Sequence, residues 1–101
     1  MPVLDNHNRI IIRADLWRLV KDKYSNNQVS FCIQDLNTVA LISTDDSILL
    51  SQKILVHVAK IDAHHRIIIP KEIREYMNID SFVNLYVLDG TLYITNPHNK
   101  N

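Results

Sequence analysis

Ile61-Asp62-Ala63-His64-His65-Arg66-Ile67-Ile68-Ile69 restates, 57 positions later, the stretch Leu4-Asp5-Asn6-His7-Asn8-Arg9-Ile10-Ile11-Ile12. Aspartate, histidine, arginine and the isoleucine triplet fall in register. Two copies are too few for a solenoid, which needs several stacked units to close a core. Two copies in a chain of 101 residues describe a dimer built into one polypeptide instead.

Around the second copy the pattern is clean. Lys53 to Ile61 reads as a strand, with Ile54, Val56 and Val58 alternating against Leu55, His57 and Ala59. Asp62 to His65 is a polar turn and Arg66 to Ile69 a β-branched strand. Pro70 stops that strand and suits the first turn of a helix, where its missing N–H costs nothing. The helix runs from Lys71 to about Met77, with Ile73, Tyr76 and Met77 on one face. Val83, Leu85 and Val87 then alternate up to Asp89-Gly90, and Leu92 and Ile94 alternate after it. Asp-Gly between alternating apolar runs predicts a type I′ hairpin, whose two central residues need positive φ.

The first copy follows the same order. Val3-Leu4 is a stub of its first strand, Asp5 to Asn8 the turn, and Arg9 to Ile12 the strand. Arg13 stands where the second copy has proline. A helix is expected over Asp15 to Lys21 with Leu16, Leu19 and Val20 on one face, then a polar loop over Lys23 to Gln28. Val29 to Gln34 and Thr38 to Ile42 form the hairpin around Asp35-Leu36-Asn37, with Asn37 supplying the positive φ. Thr44-Asp45-Asp46 resembles a helix N-cap, so Ser47 to Gln52 is expected to be a short connecting helix. The organisation expected is a first repeat over 1–43, a linker over 44–52, a second repeat over 53–96 and a frayed tail over 97–101. The two repeats together make one barrel.

Composition bounds the function. The chain is 47% hydrophobic and 22% charged, as in an ordinary single soluble domain. No apolar run approaches the roughly 20 residues that span a bilayer. No signal-peptide pattern opens the chain, so the cytoplasm is the expected compartment and no membrane partner is expected. One cysteine, Cys32, excludes an internal disulfide framework. Eleven basic and eleven acidic residues cancel, which argues against a polycation that coats nucleic acid without specificity. A single glycine, Gly90, removes the Gly-rich phosphate loops and the nucleotide enzymes built on them.

Ile61 to Met77, with its Asp-x-x-His-Arg, apolar strand, Pro and short helix, followed by a β-hairpin, resembles the signature of AbrB-type swapped-hairpin barrels (the SpoVT-AbrB domain superfamily). That group includes the AbrB transition-state regulators, MazE-like antitoxins and MraZ regulators. The resemblance covers Lys53 to Thr95 well and Leu4 to Ser43 more loosely; two copies per chain is the MraZ arrangement. The usual turn glycine is His65 here and Asn8 in the first copy, Ala59 stands where AbrB tends to be basic, and Glu75 stands where a second helix arginine is usual. The resemblance implies a mostly β, swapped-hairpin barrel with short helices and a two-fold axis. It implies DNA binding through arginines near the turn and the short helix. Residue by residue, the turn arginine is Arg66, with Arg9 its counterpart. Arg74 matches a basic helix position, which in the first copy is Trp17 with Arg18 beside it.

Arg9 and Arg66, with Lys60, Lys71, Arg74, Arg13 and Arg18, make the candidate DNA face. Arginine suits this work because its planar fork binds guanine or phosphate at two points. The alternative reading is that each arginine ion-pairs with Asp5 or Asp62 and fixes its own turn. His7 and His64 repeat, with His57 and His65 near, which would allow a metal site across the two-fold; the turn histidines are placed against solvent or phosphate instead, since no cysteine or carboxylate cluster accompanies them at ligand spacing. Cys32 lies among alternating strand residues without an adjacent base, which reads as packing and not as a nucleophile. No catalytic constellation stands out and no cofactor is expected. The expectation is a DNA-binding transcriptional regulator, not an enzyme, with double-stranded DNA as partner and with self-assembly or a protein partner also open. The alternative is an interaction or assembly module, or an antitoxin-like partner-binding protein, that keeps the barrel.

Overall fold

The computed structural model describes residues 3–24, 26–44 and 55–97. Along them run β1 (Arg9–Ile11), α1 (Ala14–Val20), β2 (Gln28–Asp35), β3 (Thr38–Ser43), β4 (Leu55–Lys60), β5 (Arg66–Ile68), α2 (Lys71–Tyr76), β6 (Asn84–Leu88) and β7 (Thr91–Thr95). The connecting helix expected over Ser47 to Gln52 and the tail beyond Pro97 lie outside the described residues.

The class is mostly β. β1 and β5 form a two-stranded sheet, and the remaining strands form a second sheet in the order β4-β2-β3-β7-β6; all pairings are antiparallel. Among the described residues no ladder joins the two sheets into a closed ring. Three pairings cross between the halves of the chain: β1 with β5, β4 with β2, and β3 with β7.

The crossings follow the repeat. Ile10 pairs with Ile67, its own counterpart at the offset of 57. The Ile12 amide donates to the His65 carbonyl at 2.8 Å, and the Ile69 amide to the Asn8 carbonyl at 3.0 Å, the same bond made in both directions. The Leu4 amide donates to the Ser81 carbonyl at 2.9 Å, and Ile61, counterpart of Leu4, donates to the Asn27 carbonyl at 2.7 Å. In the larger sheet the self-paired position is Ala40 with Tyr93. A pseudo-two-fold axis therefore passes through Ile10/Ile67 and Ala40/Tyr93.

Burial explains why the short elements hold. Ile10, Ile12, Ile67 and Ile69 are essentially inaccessible and meet Phe31, Leu41, Leu92 and Ile94 from the larger sheet. On the helices, Leu16 and Val20 are buried in α1, as are Ile73 in α2 and Met77 at its end. The expected third member of each stripe is not buried: Leu19 and Tyr76, which are counterparts, are 63% and 43% exposed. At about 100° per residue, positions 17 and 19 flank the arc of 16 and 20 equally on its two sides, so the helical wheel alone does not choose between them. Half-buried Trp17 packs against the core in place of Leu19.

Two turns solve the hairpin problem differently. Asp89 and Gly90 take φ of 51° and 76°, the type I′ geometry expected. Asn37 does not adopt the positive φ expected of it. Its amide is instead held by the Asp35 carboxylate at 2.9 Å, and the β2–β3 register shifts between Ile33 and Asp35, so a bulge supplies the twist.

The expected polar loop after α1 also departs from expectation. Asn27 follows Val20 by seven positions, whereas its counterpart Ser81 follows Met77 by four. Within the extra length lies Tyr24, fully buried. Its hydroxyl donates to the Leu41 carbonyl and accepts from the Leu92 amide at 3.0 Å, closing the end of the β3–β7 ladder. Burial, partly offset by the Leu92 amide, pushes the phenol up to about 12. Tyr24→Phe strands both backbone groups in the core; it is expected to lower stability by about 1–3 kcal/mol. Urea unfolding should show this as a lower midpoint with an unchanged slope.

Candidate nucleic-acid interface

Each Asp-x-x-[Asn/His]-Arg turn is built the same way. Asp5 Oδ1 accepts from the His7 and Arg9 amides at 2.8 and 2.9 Å, and its Oδ2 accepts from Arg9 Nε at 2.8 Å. Asp62 repeats all three bonds with His64 and Arg66 at the same distances. The carbonyl of each aspartate also accepts from the residue three positions on, Asn8 or His65, at 3.0 Å. Those two residues sit in the left-handed region at φ of 60° and 59°, where the family resemblance places glycine. Asparagine and histidine are among the few side chains that tolerate it.

His65 gains a second support. Its ring stacks on Trp17 of the other repeat, with centroids 4.4 Å apart and planes at 20°. The pseudo-symmetric pair is Asn8 and Arg74, which cannot stack. Arg74 instead donates from Nε to the Ile69 carbonyl at 3.0 Å and lies half-buried beside Glu75, Asn78 and Asp80.

The carboxyls respond to this wiring. At Asp5 the Arg9 amide is the largest influence and, with the His7 amide and the guanidinium, outweighs desolvation to bring the carboxyl down to about 2. At Asp62 desolvation is the largest single influence and pushes up, but the Arg66 and His64 amides and the Arg66 guanidinium together leave the carboxyl below its usual value.

The strand that follows each turn presents its arginine on the solvent face of the β1–β5 ribbon. Arg9 lies opposite Ile68 and Arg66 opposite Ile11, so the arginines occupy a diagonal. Diagonal neighbours in an antiparallel pair stand roughly 7–8 Å apart. Ile11 and Ile68 share that face and are 59% and 54% exposed. Each guanidinium is held only through Nε among the described residues, which leaves both Nη groups of each fork for an outside acceptor.

The other candidates spread outward. Lys60 is exposed at the end of β4 and lines a shallow groove with His57, Val58, Ile68 and Pro70, beside the ribbon. Its counterpart is Val3, so only one end of the ribbon has this cation. His64 is exposed at its turn. Arg13 pairs loosely with Asp15 at 3.3 Å, and Lys71 with Glu75 at 3.8 Å, both in solvent. Arg18 is exposed in the last turn of α1. The ribbon thus brings together Arg9 and Arg66, with Lys60, His64 and His65 around them, while Arg74 is turned to its own repeat. Sequence reasoning missed the Trp17–His65 stack and the exposed Ile11 and Ile68; only the strict alternation along Arg-Ile-Ile-Ile signalled the latter.

No protein-family model, curated protein or solved structure matches the chain. The AbrB-type resemblance therefore rests on the sequence motif alone. No helix among the described residues is long and apolar enough to cross a membrane.

The aspartate clamps set an acid limit on stability. A carboxyl whose folded value lies below its unfolded value of 3.8 stabilises the fold fully above that value, and the contribution is lost as pH falls toward about 2. Stability is expected to decline between about pH 4 and 2. Asp5→Asn/Asp62→Asn should be less stable at neutral pH and flatter across that window. Chemical denaturation at stepped pH checks this; parallel curves for the two proteins would show that the clamps carry no such linkage.

Proposed function

We propose that the chain is a DNA-binding regulator of AbrB or MraZ type, in which two repeats interleave their hairpins into a pseudo-dimeric swapped-hairpin barrel. The observation that carries this reading is the pair of Nε-clamped arginines on the solvent face of the β1–β5 ribbon, related by the pseudo-two-fold. A two-stranded ribbon fits the major groove of B-DNA. The diagonal spacing of roughly 7–8 Å corresponds to about two steps along a strand at 3.4 Å each. Both forks then address bases about two steps apart, and Lys60, Arg13, Arg18 and Lys71 supply backbone contacts. No cofactor and no enzymatic step belong to this reading.

One observation favours a second reading, a protein-interaction module. Each arginine is neutralised by its own aspartate, and the ribbon face between them is isoleucine. That combination also suits an apolar partner surface with polar edges.

Titration of a random duplex pool at two salt concentrations separates the two. On the DNA reading the affinity falls with a log–log slope of about −0.9 per phosphate contacted. Arg9→Ala/Arg66→Ala, shown to be folded by circular dichroism, should weaken binding by roughly tenfold or more. Absence of binding by the wild type at low salt would discard the DNA reading and leave the interaction module.

A further inference from the structure

The pseudo-symmetry leaves one strand edge unmatched. β4 covers the outer edge of β2 from Gln28 to Cys32. The corresponding edge of β6 receives, among the described residues, only the Val3–Phe82 bridge and the Leu4 amide bond to Ser81. Beyond Phe82, β6 ends the five-stranded sheet.

The open groups on that edge can be named. A two-residue turn is closed by a hydrogen-bonded pair, here Leu88 with Thr91, and such pairs alternate along an antiparallel ladder. Leu88, Tyr86 and Asn84 therefore bond toward β7. Leu85 and Val87 direct their N–H and C=O groups outward, and neither has another partner among the described residues.

Edge strands in monomeric proteins are usually blunted by charge, proline or a bulge. β4, at the far edge of the sheet, carries Lys60 and pairs through a shifted register. β6 carries none of these devices. Asn84-Leu85-Tyr86-Val87-Leu88 has no charge and no proline, and its register with β7 is regular. Leu88 is 58% exposed and Phe82 53%.

We propose that the outer edge of β6 is a self-association site, at which two copies of this chain pair β6 with β6 antiparallel about a two-fold at Tyr86. In that register Leu85 of each copy hydrogen-bonds Val87 of the other, which uses all the outward groups of the strand centre. Tyr86 meets its own copy across the axis. Because Tyr86 already stacks on Tyr93, with ring centroids 5.0 Å apart, the joined sheet carries a row of four tyrosines. A second copy is favoured over an unrelated strand because the segment is complementary to itself in hydrogen bonding and has no like charges to oppose. Closed two-fold pairing is also the commonest form of homo-oligomer. This surface lies on the hairpin, apart from the arginine ribbon, and the proposal does not depend on nucleic acid.

Sedimentation velocity over a wide concentration range tests it with two variants. The wild type is expected to be a discrete dimer that dissociates on dilution. Tyr86→Lys puts like charges opposite each other at the axis and should weaken the dimer by roughly tenfold or more while circular dichroism shows an intact fold. Tyr86→Cys in a Cys32→Ala background should form a disulfide-linked dimer on mild oxidation, while Leu19→Cys, on an exposed helix position, should not. The cysteine arm decides the matter if the lysine variant fails to fold. A wild type that stays monomeric, a dimer indifferent to Tyr86→Lys, open-ended association, or equal cross-linking at both cysteines would overturn the proposal.

Discussion

The structure depends on two strands of three residues each that, among the described residues, pair only with one another. β1 and β5 are too short to persist as an isolated ribbon, since a lone two-stranded hairpin is marginal in water even when longer. They hold because Ile10 and Ile67 bury the same axis from both sides, while Ile12 and Ile69 close it through amide bonds to the opposite turn. Neither repeat completes its own turn-strand unit. Each needs the carbonyl of Asn8 or His65 supplied by the other. Folding of the halves is therefore coupled at the point where the candidate arginines sit.

The symmetry is good in the backbone and broken in the side chains. Arg9 and Arg66 are held by identical bonds, but their surroundings differ. One turn is backed by the Trp17–His65 stack, and at the equivalent place Arg74 is occupied with the Ile69 carbonyl. Lys60 flanks one end of the ribbon and Val3 the other. The loop of the first repeat is longer and inserts Tyr24 into the core. On the DNA reading proposed above, a surface of this kind presents two similar but unequal halves, which suits an asymmetric site better than a perfect palindrome.

Much of this was legible in the sequence, and the reasons for the rest are local. The repeat announced two equivalent turn-strand units and Asp-Gly the second hairpin turn, whereas the pairing of Ile10 with Ile67 emerges only in the structure. The burial of Ile67 and Ile69 around exposed Ile68 follows from strand alternation, a signal present in the sequence but not read from it. Leu19 and Tyr76 were misplaced because a helix of six or seven residues samples too few turns to define which edge of its apolar arc faces the core. Tyr24 was unreadable because its burial depends on the far ends of two strands, which supply a carbonyl at Leu41 and an amide at Leu92. The turn at Asn37 was misjudged because a bulge and an aspartate side chain do there what positive φ does at Gly90. The arginine ribbon was legible as residues but not as a geometry. The diagonal of Arg9 and Arg66 exists only once β1 and β5 pair.

The Asp–Arg clamps also bear on what kind of binding the ribbon can perform. A free guanidinium contributes charge at long range and pays rotamer entropy when it docks. A guanidinium fixed through Nε by a carboxylate contributes little net charge, because the pair is neutral beyond a few ångströms, and the chain as a whole is neutral. Steering over long distances is accordingly weak. What remains is a fork already oriented, with Nη donors that have no partner among the described residues and little ordering left to lose. On the reading proposed for this face, such groups discriminate at contact distance more than they attract from afar. Their contribution therefore lies in selecting among sites already approached, while Lys60 beside the ribbon, which has no ion pair among the described residues, provides the approach.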